Sequence, residues 1–278
     1  MKESKGNRVY KDRLFRFIFS NKEDLLSLYN AVNQSHYTNA EELEVTTLDD
    51  VLYMGMKNDI SFLIDDEMNL YEAQSSWNPN MPLRGLFYFS KLYAAYMEIH
   101  HLDIYSKTQL KLPTPSYIVF YYGAEYEEER MELRLSEAFE KENSSLECTA
   151  TILNINYGQN QELMKGCRKL YEYSFFVAQV RDSLMKGKVL AAAIDEAVES
   201  CIKQNILAEF LRKHRAEVKV MILSHYDEEL HFKTLKKEGR DSVNALIRIL
   251  IKENRLDDLK RAAEDSEFED KLLKEFGL

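Results

Sequence analysis

The stretch that decides the fold reads KNDISFLI (residues 57–64), DDEM (65–68) and NLYEAQS (69–75). Two apolar runs flank a polar segment, and this pattern predicts two short strands joined by a turn. Asp59 precedes the first apolar run and Glu72 interrupts the second. A purely apolar hairpin would not need acidic side chains at these places.

The register of this hairpin determines which polar groups meet. We expect the turn to centre near Asp66 and Glu67, so antiparallel pairing brings Asp59 opposite Gln74 or Ser75. Because side chains alternate between the faces of a strand, the glutamate and the glutamine of the second strand share one face. The prediction is two carboxylates and one amide at one edge of a small sheet. Paired carboxylates with open positions are typical Mg²⁺ ligands in proteins that act on phosphates.

The composition indicates a folded protein. The chain has 278 residues, of which 45% are hydrophobic and 12% aromatic, so it can bury a large core and does not resemble a disordered chain. Its three cysteines (Cys148, Cys167 and Cys201) are too widely spaced to suggest a disulfide framework or a zinc site. The sequence contains no apolar stretch typical of a signal peptide or a membrane span. We therefore expect a cytoplasmic protein.

The charge is unevenly distributed. A net charge of −10 counts against extended, non-specific binding of nucleic acid, which needs a cationic surface. Residues 1–22 nevertheless carry seven basic and two acidic residues, a net charge of 7 − 2 = +5. Such an arm could contact a phosphate backbone, or it could simply be solvated, and the sequence favours neither interpretation.

Hydrophobic periodicity predicts an α/β protein with a helical C-terminal region. The predicted helices cover residues 10–33, 83–100, 161–186, 189–203, 205–214, 216–225 and 242–278. The predicted strands cover residues 44–53, the hairpin 58–75, a fully buried central strand at 117–122 and a last strand at 148–156, with a charged, variable segment at 125–145. We expect two parts, residues 1–158 with the sheet and residues 159–278 with helices.

Several motifs along residues 10–160 resemble those of the PD-(D/E)xK nuclease superfamily, in particular its Rpn-type family of recombination-promoting, transposase-like nucleases. The matching stretches are Lys11-Asp12-Arg13-Leu14-Phe15-Arg16, Asn58-Asp59, Glu72-Ala73-Gln74 and Asn78-Pro79-Asn80-Met81-Pro82-Leu83-Arg84 with Tyr88 and Tyr93. The resemblance implies a restriction-endonuclease-like core, a mixed central sheet flanked by helices.

The resemblance also implies a metal-dependent catalytic site. Asp59 and Glu72 would hold one or two Mg²⁺ or Mn²⁺ ions, and the backbone carbonyl of Ala73 would complete the shell. Gln74 would orient the attacking water, although the wider superfamily has lysine at this position and an amide cannot supply its charge. The alternative is that both acids are exposed residues that protect a hairpin edge from aggregation.

Basic residues near these motifs are candidates for contacts with DNA. By the resemblance, Lys11, Arg16 and Arg84 would bind phosphates and Asp12 would assist the metal site. Asp12 and Arg16 are four residues apart, so they could instead pair with each other on one helix face. Arg84 could likewise form a salt bridge with a carboxylate.

The expected function is that of a metal-dependent DNA endonuclease. The rival hypothesis is a catalytically weak or inactive nuclease-fold scaffold that binds a partner, which the acidic balance and Gln74 both favour. RNA remains an alternative substrate, since metal-assisted phosphate chemistry does not select the sugar. A homodimer would help double-strand cutting, but no motif demonstrates one.

Overall fold

In the described part of the chain, six strands form one mixed sheet with helices on both faces. The structure is a computed structural model that describes residues 13–46, 59–123, 125–142, 144–220 and 242–276. The strands are β1 (Glu44–Val45), β2 (Ile60–Ile64), β3 (Glu67–Gln74), β4 (Thr114–Tyr121), β5 (Arg130–Arg134) and β6 (Thr149–Asn154). Their order across the sheet is β1-β2-β3-β4-β6-β5. The expected α/β fold, followed by helices, is confirmed.

Strands β2 and β3 form the predicted hairpin, but with a different turn. The antiparallel ladder pairs Ile64 with Glu67 and Ile60 with Tyr71, so the turn consists of Asp65 and Asp66. Asp65 has φ = 48°, a left-handed conformation that suits a two-residue hairpin turn and that aspartate tolerates. The predicted register was therefore wrong, because the turn lies one residue earlier than expected.

The centre of the sheet is parallel. β3 and β4 run parallel and are connected through α3 (Met81–Ile99), which supplies the long crossover that parallel strands require. β4 also runs parallel to β6, and its residues 117–121 are buried, so the prediction of a buried central strand is confirmed.

An edge strand was missed in the charged segment 125–145. β5 pairs antiparallel with β6, and its residues alternate between exposed and half-buried. Charged side chains on the exposed side of an edge strand discourage pairing with other chains. The same charges concealed the strand in the sequence.

The two faces of the sheet are covered by different helices. Helices α1 (Arg13–Ile18), α2 (Lys22–Asn33) and α5 (Arg168–Met185) pack on one face, which we call the α1 face. Helix α3 packs on the opposite face, which we call the α3 face. The predicted single helix at 10–33 is divided, because Asn21 caps α2 by accepting the N–H of Asp24 at 2.7 Å. Of the predicted strand 44–53, the structure shows β1, and residues 47–53 lie outside the described residues.

The helices that follow the sheet belong to the same core as the α1 face. They are α4 (Gln161–Gly166), α5, α6 (Leu190–Lys203) and α7 (Ala208–Lys213), followed by helical residues 215–220. Phe176, Ile194 and Leu211 are fully buried in the cluster that also contains Phe15 and Phe120. The chain divides into two compact units, Met1–Leu223 and Ser224–Leu278, so the boundary expected at residue 158 falls inside the first unit.

The second unit is helical where it is described. Residues 242–252 and the helices Leu256–Glu264 and Ser266–Glu275 surround a small core of Leu246, Leu250, Ala262 and Leu272. No helix in the described ranges combines the length and apolar character needed to cross a bilayer.

Candidate functional site

Asp59 and Glu72 lie on the same face of the sheet. Leu63 of β2 and Leu70 of β3 belong to the α3-face core, and side chains two residues apart share a face. By this alternation Asp59, next to the start of β2, and Glu72, within β3, both point to the α3 face. Both are buried, with 8% and 1% of their surface exposed. The alternative that they are exposed residues of a hairpin edge is therefore wrong.

The phenol of Tyr88 lies close enough to both carboxylates to be influenced by them. Burial raises the pKa of Tyr88 most strongly, and the negative charges of Glu72 and Asp59 raise it further. Tyr88 lies in α3, one turn after Arg84. The two acids and Tyr88 therefore lie on the same face of the sheet.

Asp59 is held by the backbone of β3. Its Oδ2 accepts the N–H of Ala73 at 2.9 Å, which places this carboxylate beside Glu72 and Ala73 rather than opposite Gln74 or Ser75. The N–H and C=O of one strand residue point to the same side of the strand. The carbonyl of Ala73 therefore points toward the side on which Asp59 lies.

Both oxygens of Glu72 accept hydrogen bonds from side chains. Arg84 Nη2 donates to Oε1 at 2.9 Å, and the hydroxyl of Tyr117 donates to Oε2 at 2.5 Å. Burial and then the nearby Glu72 carboxylate raise the pKa of Tyr117 well above its usual value, so the phenol remains a donor. A buried carboxylate is tolerated only when it is paired in this way.

Arg84 reaches the site from the first turn of α3. Its Nη2 also donates to the Tyr88 hydroxyl at 3.0 Å, and its Nη1 lies 3.4 Å from Met81 Sδ. Burial opposes the charge of Arg84, but Glu72 together with the phenols of Tyr88 and Tyr117 outweighs this effect and raises the pKa of the guanidinium. Of the two alternatives for Arg84, the structure shows the salt bridge.

Gly85 lets α3 approach the sheet closely enough for this contact. A Cβ at this position would lie 2.6 Å from ring carbons of Tyr117, well inside van der Waals contact. The glycine that follows Arg84 therefore determines how near the arginine comes to Glu72.

Of the other predicted site residues, Gln74 lies on the same face as Glu72 and Arg16 lies on the opposite side of the sheet. Gln74 is buried at the end of β3 and, by alternation, shares the face of Glu72. Arg16 lies in α1, whose Phe15 packs 5.2 Å from Phe120 on the α1 face, so α1 belongs to the other side of the sheet. No ion pair joins Arg16 to a carboxylate among the described residues. Lys11 and Asp12 lie outside the described residues.

Tyr117 is the site residue that sequence reasoning missed. It was assigned only to the apolar run of a buried strand, yet its hydroxyl contacts a glutamate 45 residues away. A tyrosine in a fully buried strand needs a hydrogen-bond partner for its hydroxyl. That requirement was the available signal, although it does not identify the partner.

The donor set suits a hard divalent cation only in part. Two carboxylates, a backbone carbonyl and an amide are oxygen ligands of the kind that Mg²⁺ prefers. No group of three or more acidic, histidine or cysteine side chains suited to a metal occurs within the described ranges. A metal at Glu72 would compete with Arg84 and Tyr117 for the carboxylate, since each of them already donates to one of its oxygens.

No family model matches this chain, and searches of the curated proteins and of the solved structures also found no match.

Proposed function

We propose that this protein is a metal-dependent DNA endonuclease of the Rpn-type, PD-(D/E)xK-like kind, which hydrolyses phosphodiester bonds. The observation that carries the proposal is the pair of buried carboxylates, Asp59 and Glu72, on one face of the sheet. Burying two acids so close together is costly, and an apolar core would not require it. Arg84 and Tyr117 offset part of that cost at Glu72, and a shared cation would offset it for both acids.

The residues around the pair have distinct roles in this proposal. Asp59, Glu72 and the Ala73 carbonyl would hold Mg²⁺ or Mn²⁺, and Gln74 would orient a water through its amide. When bound, the metal would polarise the scissile phosphate and lower the pKa of a water molecule. Arg84 would bind a phosphate oxygen, because a guanidinium presents several donors to an oxyanion.

Plasmid nicking in the presence of Mg²⁺ or Mn²⁺ tests the proposal. We expect the wild type to nick plasmid and both Asp59→Asn and Glu72→Gln to lose this activity. Glu132→Gln is the matched control, since Glu132 lies on the exposed side of β5 and pairs only with Arg134 among the described residues. Wild-type protein without nicking activity, or an active Glu72→Gln variant, would count against the proposal.

Parallel assays with DNA and RNA oligonucleotides identify the substrate class. DNA binding should weaken steeply with salt, because displaced counterions drive association with phosphates. A homodimer would bring two such sites to the two strands of a duplex. A cytoplasmic location fits the proposal, since Cys148, Cys167 and Cys201 are all unpaired.

A second candidate is a non-catalytic scaffold that uses the same fold to bind a partner. The closed arrangement of Glu72 with Arg84 and Tyr117 favours it, because such a network also serves as a purely structural ion pair. Calorimetric titration with Mn²⁺ separates the candidates. A scaffold has no reason to bind the ion through Asp59 and Glu72.

A further inference from the structure

Arg84 is the more exposed partner of the ion pair with Glu72. Its side chain is 27% exposed, whereas that of Glu72 is 1% exposed. An anion that approaches the α3 face at this point therefore finds more of the Arg84 side chain than of Glu72 accessible. A cation that approaches Glu72 finds one carboxylate oxygen bound to Arg84 and the other bound to Tyr117.

The charges of the cluster formed by Asp59, Glu72 and Arg84 favour a change in which Arg84 leaves Glu72 for a phosphate and a cation takes its place. Asp59 and Glu72 contribute two negative charges and Arg84 one positive charge. A divalent cation added alone would leave one net positive charge in a largely buried site, which is costly. A phosphodiester brings one negative charge and a phosphate monoester about two, so either of them offsets the excess positive charge.

Arg84 has the donors that such an exchange needs. A guanidinium has five N–H groups, and the structure records hydrogen bonds for three of them, to Glu72, Tyr88 and Met81. A phosphate oxygen can accept from the same Nη2 that now binds Glu72. The bond to Tyr88 keeps the guanidinium near the site while its partner changes.

We propose that Arg84 blocks the metal position at Glu72 until a substrate phosphate draws it away, so that metal and phosphate bind cooperatively. This inference rests on the proposed function and adds to it an order of events. Without a phosphate, Arg84 competes with the metal for Glu72. With a phosphate, Arg84 moves to the phosphate and the freed carboxylate oxygen binds the metal. Because coupling between two ligands is reciprocal, the metal must strengthen phosphate binding by the same factor.

The test measures Mn²⁺ binding to the full chain with and without thymidine 5′-monophosphate, which has a phosphate but no phosphodiester bond to cut. The electron paramagnetic resonance signal of free Mn²⁺ gives the affinity without any measurement of activity. We expect the affinity of the wild type to rise about tenfold with the nucleotide, within the usual range of coupling between sites. A titration of nucleotide and Mn²⁺ without protein corrects for their direct association.

Variants separate the roles of the two residues. In Arg84→Met the competing cation is gone, so Mn²⁺ should bind tightly without nucleotide and the nucleotide should add little. Arg168→Met is the matched control, because Arg168 also pairs with a buried glutamate, Glu172, at 2.9 Å but in helix α5. This control should behave like the wild type. Glu72→Gln should abolish Mn²⁺ binding in both conditions.

The outcomes distinguish this inference from the proposed function. If the wild type binds Mn²⁺ equally well with and without nucleotide, the metal site exists but the competition does not, and the inference is overturned alone. If neither the wild type with nucleotide nor folded Arg84→Met binds Mn²⁺, the metal site itself is absent and both proposals fail. The wild-type comparison decides the inference even where Arg84→Met does not fold.

Discussion

Two buried glutamates of this protein resemble each other closely, and only one of them belongs to the candidate site. Glu72 and Glu172 are 1% and 5% exposed, and each accepts a hydrogen bond from an arginine at 2.9 Å. The second oxygen of Glu172 accepts the backbone N–H of Leu207 at 3.2 Å, so this residue ties α5 to the start of α7. The two contacts of Glu172 join neighbouring helical segments, which is a structural role.

The surroundings of Glu72 are different. Its two donors are side chains from α3 and β4, and a second carboxylate, Asp59, lies on the same face of the sheet. Burial and an arginine partner are thus shared by both glutamates and do not identify a site. The presence of two buried acids on one face is what distinguishes the candidate site from the surroundings of Glu172.

The largest difference in stability between the two ion pairs should appear when the arginine of each pair is replaced. Arg84→Met leaves a largely buried carboxylate without its cation, and we expect unfolding free energy to fall by about 3–5 kcal/mol. Arg168 is 76% exposed, and without it Glu172 keeps its hydrogen bond from the N–H of Leu207, so Arg168→Met should cost less, about 1–2 kcal/mol. Urea denaturation measures both. Equal losses would show that the two glutamates are held alike.

The next largest loss of stability should follow removal of the Tyr117 hydroxyl, which donates to Glu72. Tyr117→Phe removes a buried hydrogen bond to a carboxylate, which typically contributes about 1.5–3 kcal/mol. Tyr121→Phe is the matched control four residues further along β4, where the hydroxyl accepts the N–H of Glu125 at 3.0 Å. The neutral bond should contribute less, about 0.5–1.5 kcal/mol. Urea denaturation of both variants checks the order, and a larger loss for Tyr121→Phe would contradict it.

A methyl group at Gly85 should disturb the site through packing. Gly85→Ala places a Cβ against the Tyr117 ring, and overpacking of this kind costs about 1–3 kcal/mol. The helix must move away, and Arg84 moves with it, so nicking should decrease as well. Ser90→Ala, on the exposed side of the same helix, should change neither thermal stability nor nicking appreciably. Unchanged stability of Gly85→Ala would show that α3 can shift without cost.

The smallest effect is expected at the second glutamate. Glu172→Gln keeps an oxygen that can accept the N–H of Leu207 and loses only charge, so we expect a cost of about 1 kcal/mol. Plasmid nicking should remain at the wild-type level, whereas Glu72→Gln should abolish it. Reduced nicking by a stable Glu172→Gln variant would place Glu172 in the functional machinery and contradict this comparison.

Local sequence patterns predicted much of the sheet. The apolar runs of the hairpin and of residues 117–122 were found because buried strands are short and rich in aromatic and β-branched residues. The register was missed, since it depends on Asp65 adopting a positive φ, a choice between neighbouring acidic residues that a hydrophobic pattern does not reveal. β5 was missed because its charges conceal the alternation of an edge strand.

The candidate site was predicted in the same uneven way. Asp59 and Glu72 were identified, and so were the two alternatives for Arg84. The exposed-edge alternative for the acids was wrong, because a helix covers the α3 face of the hairpin. The role of Tyr117 could not be predicted, because it depends on the parallel pairing of β3 with β4 across 45 residues.

Residue order alone was enough to place Glu72 and Gln74 on one side of a strand, since backbone geometry alternates side chains without help from the rest of the chain. Folding in three dimensions chose the partners of Glu72, because Arg84 reaches it only after α3 packs on the sheet beside Gly85, and Tyr117 only after β4 pairs with β3. Periodicity is a local property, whereas the pairing of a buried charge depends on which distant segments remove it from water.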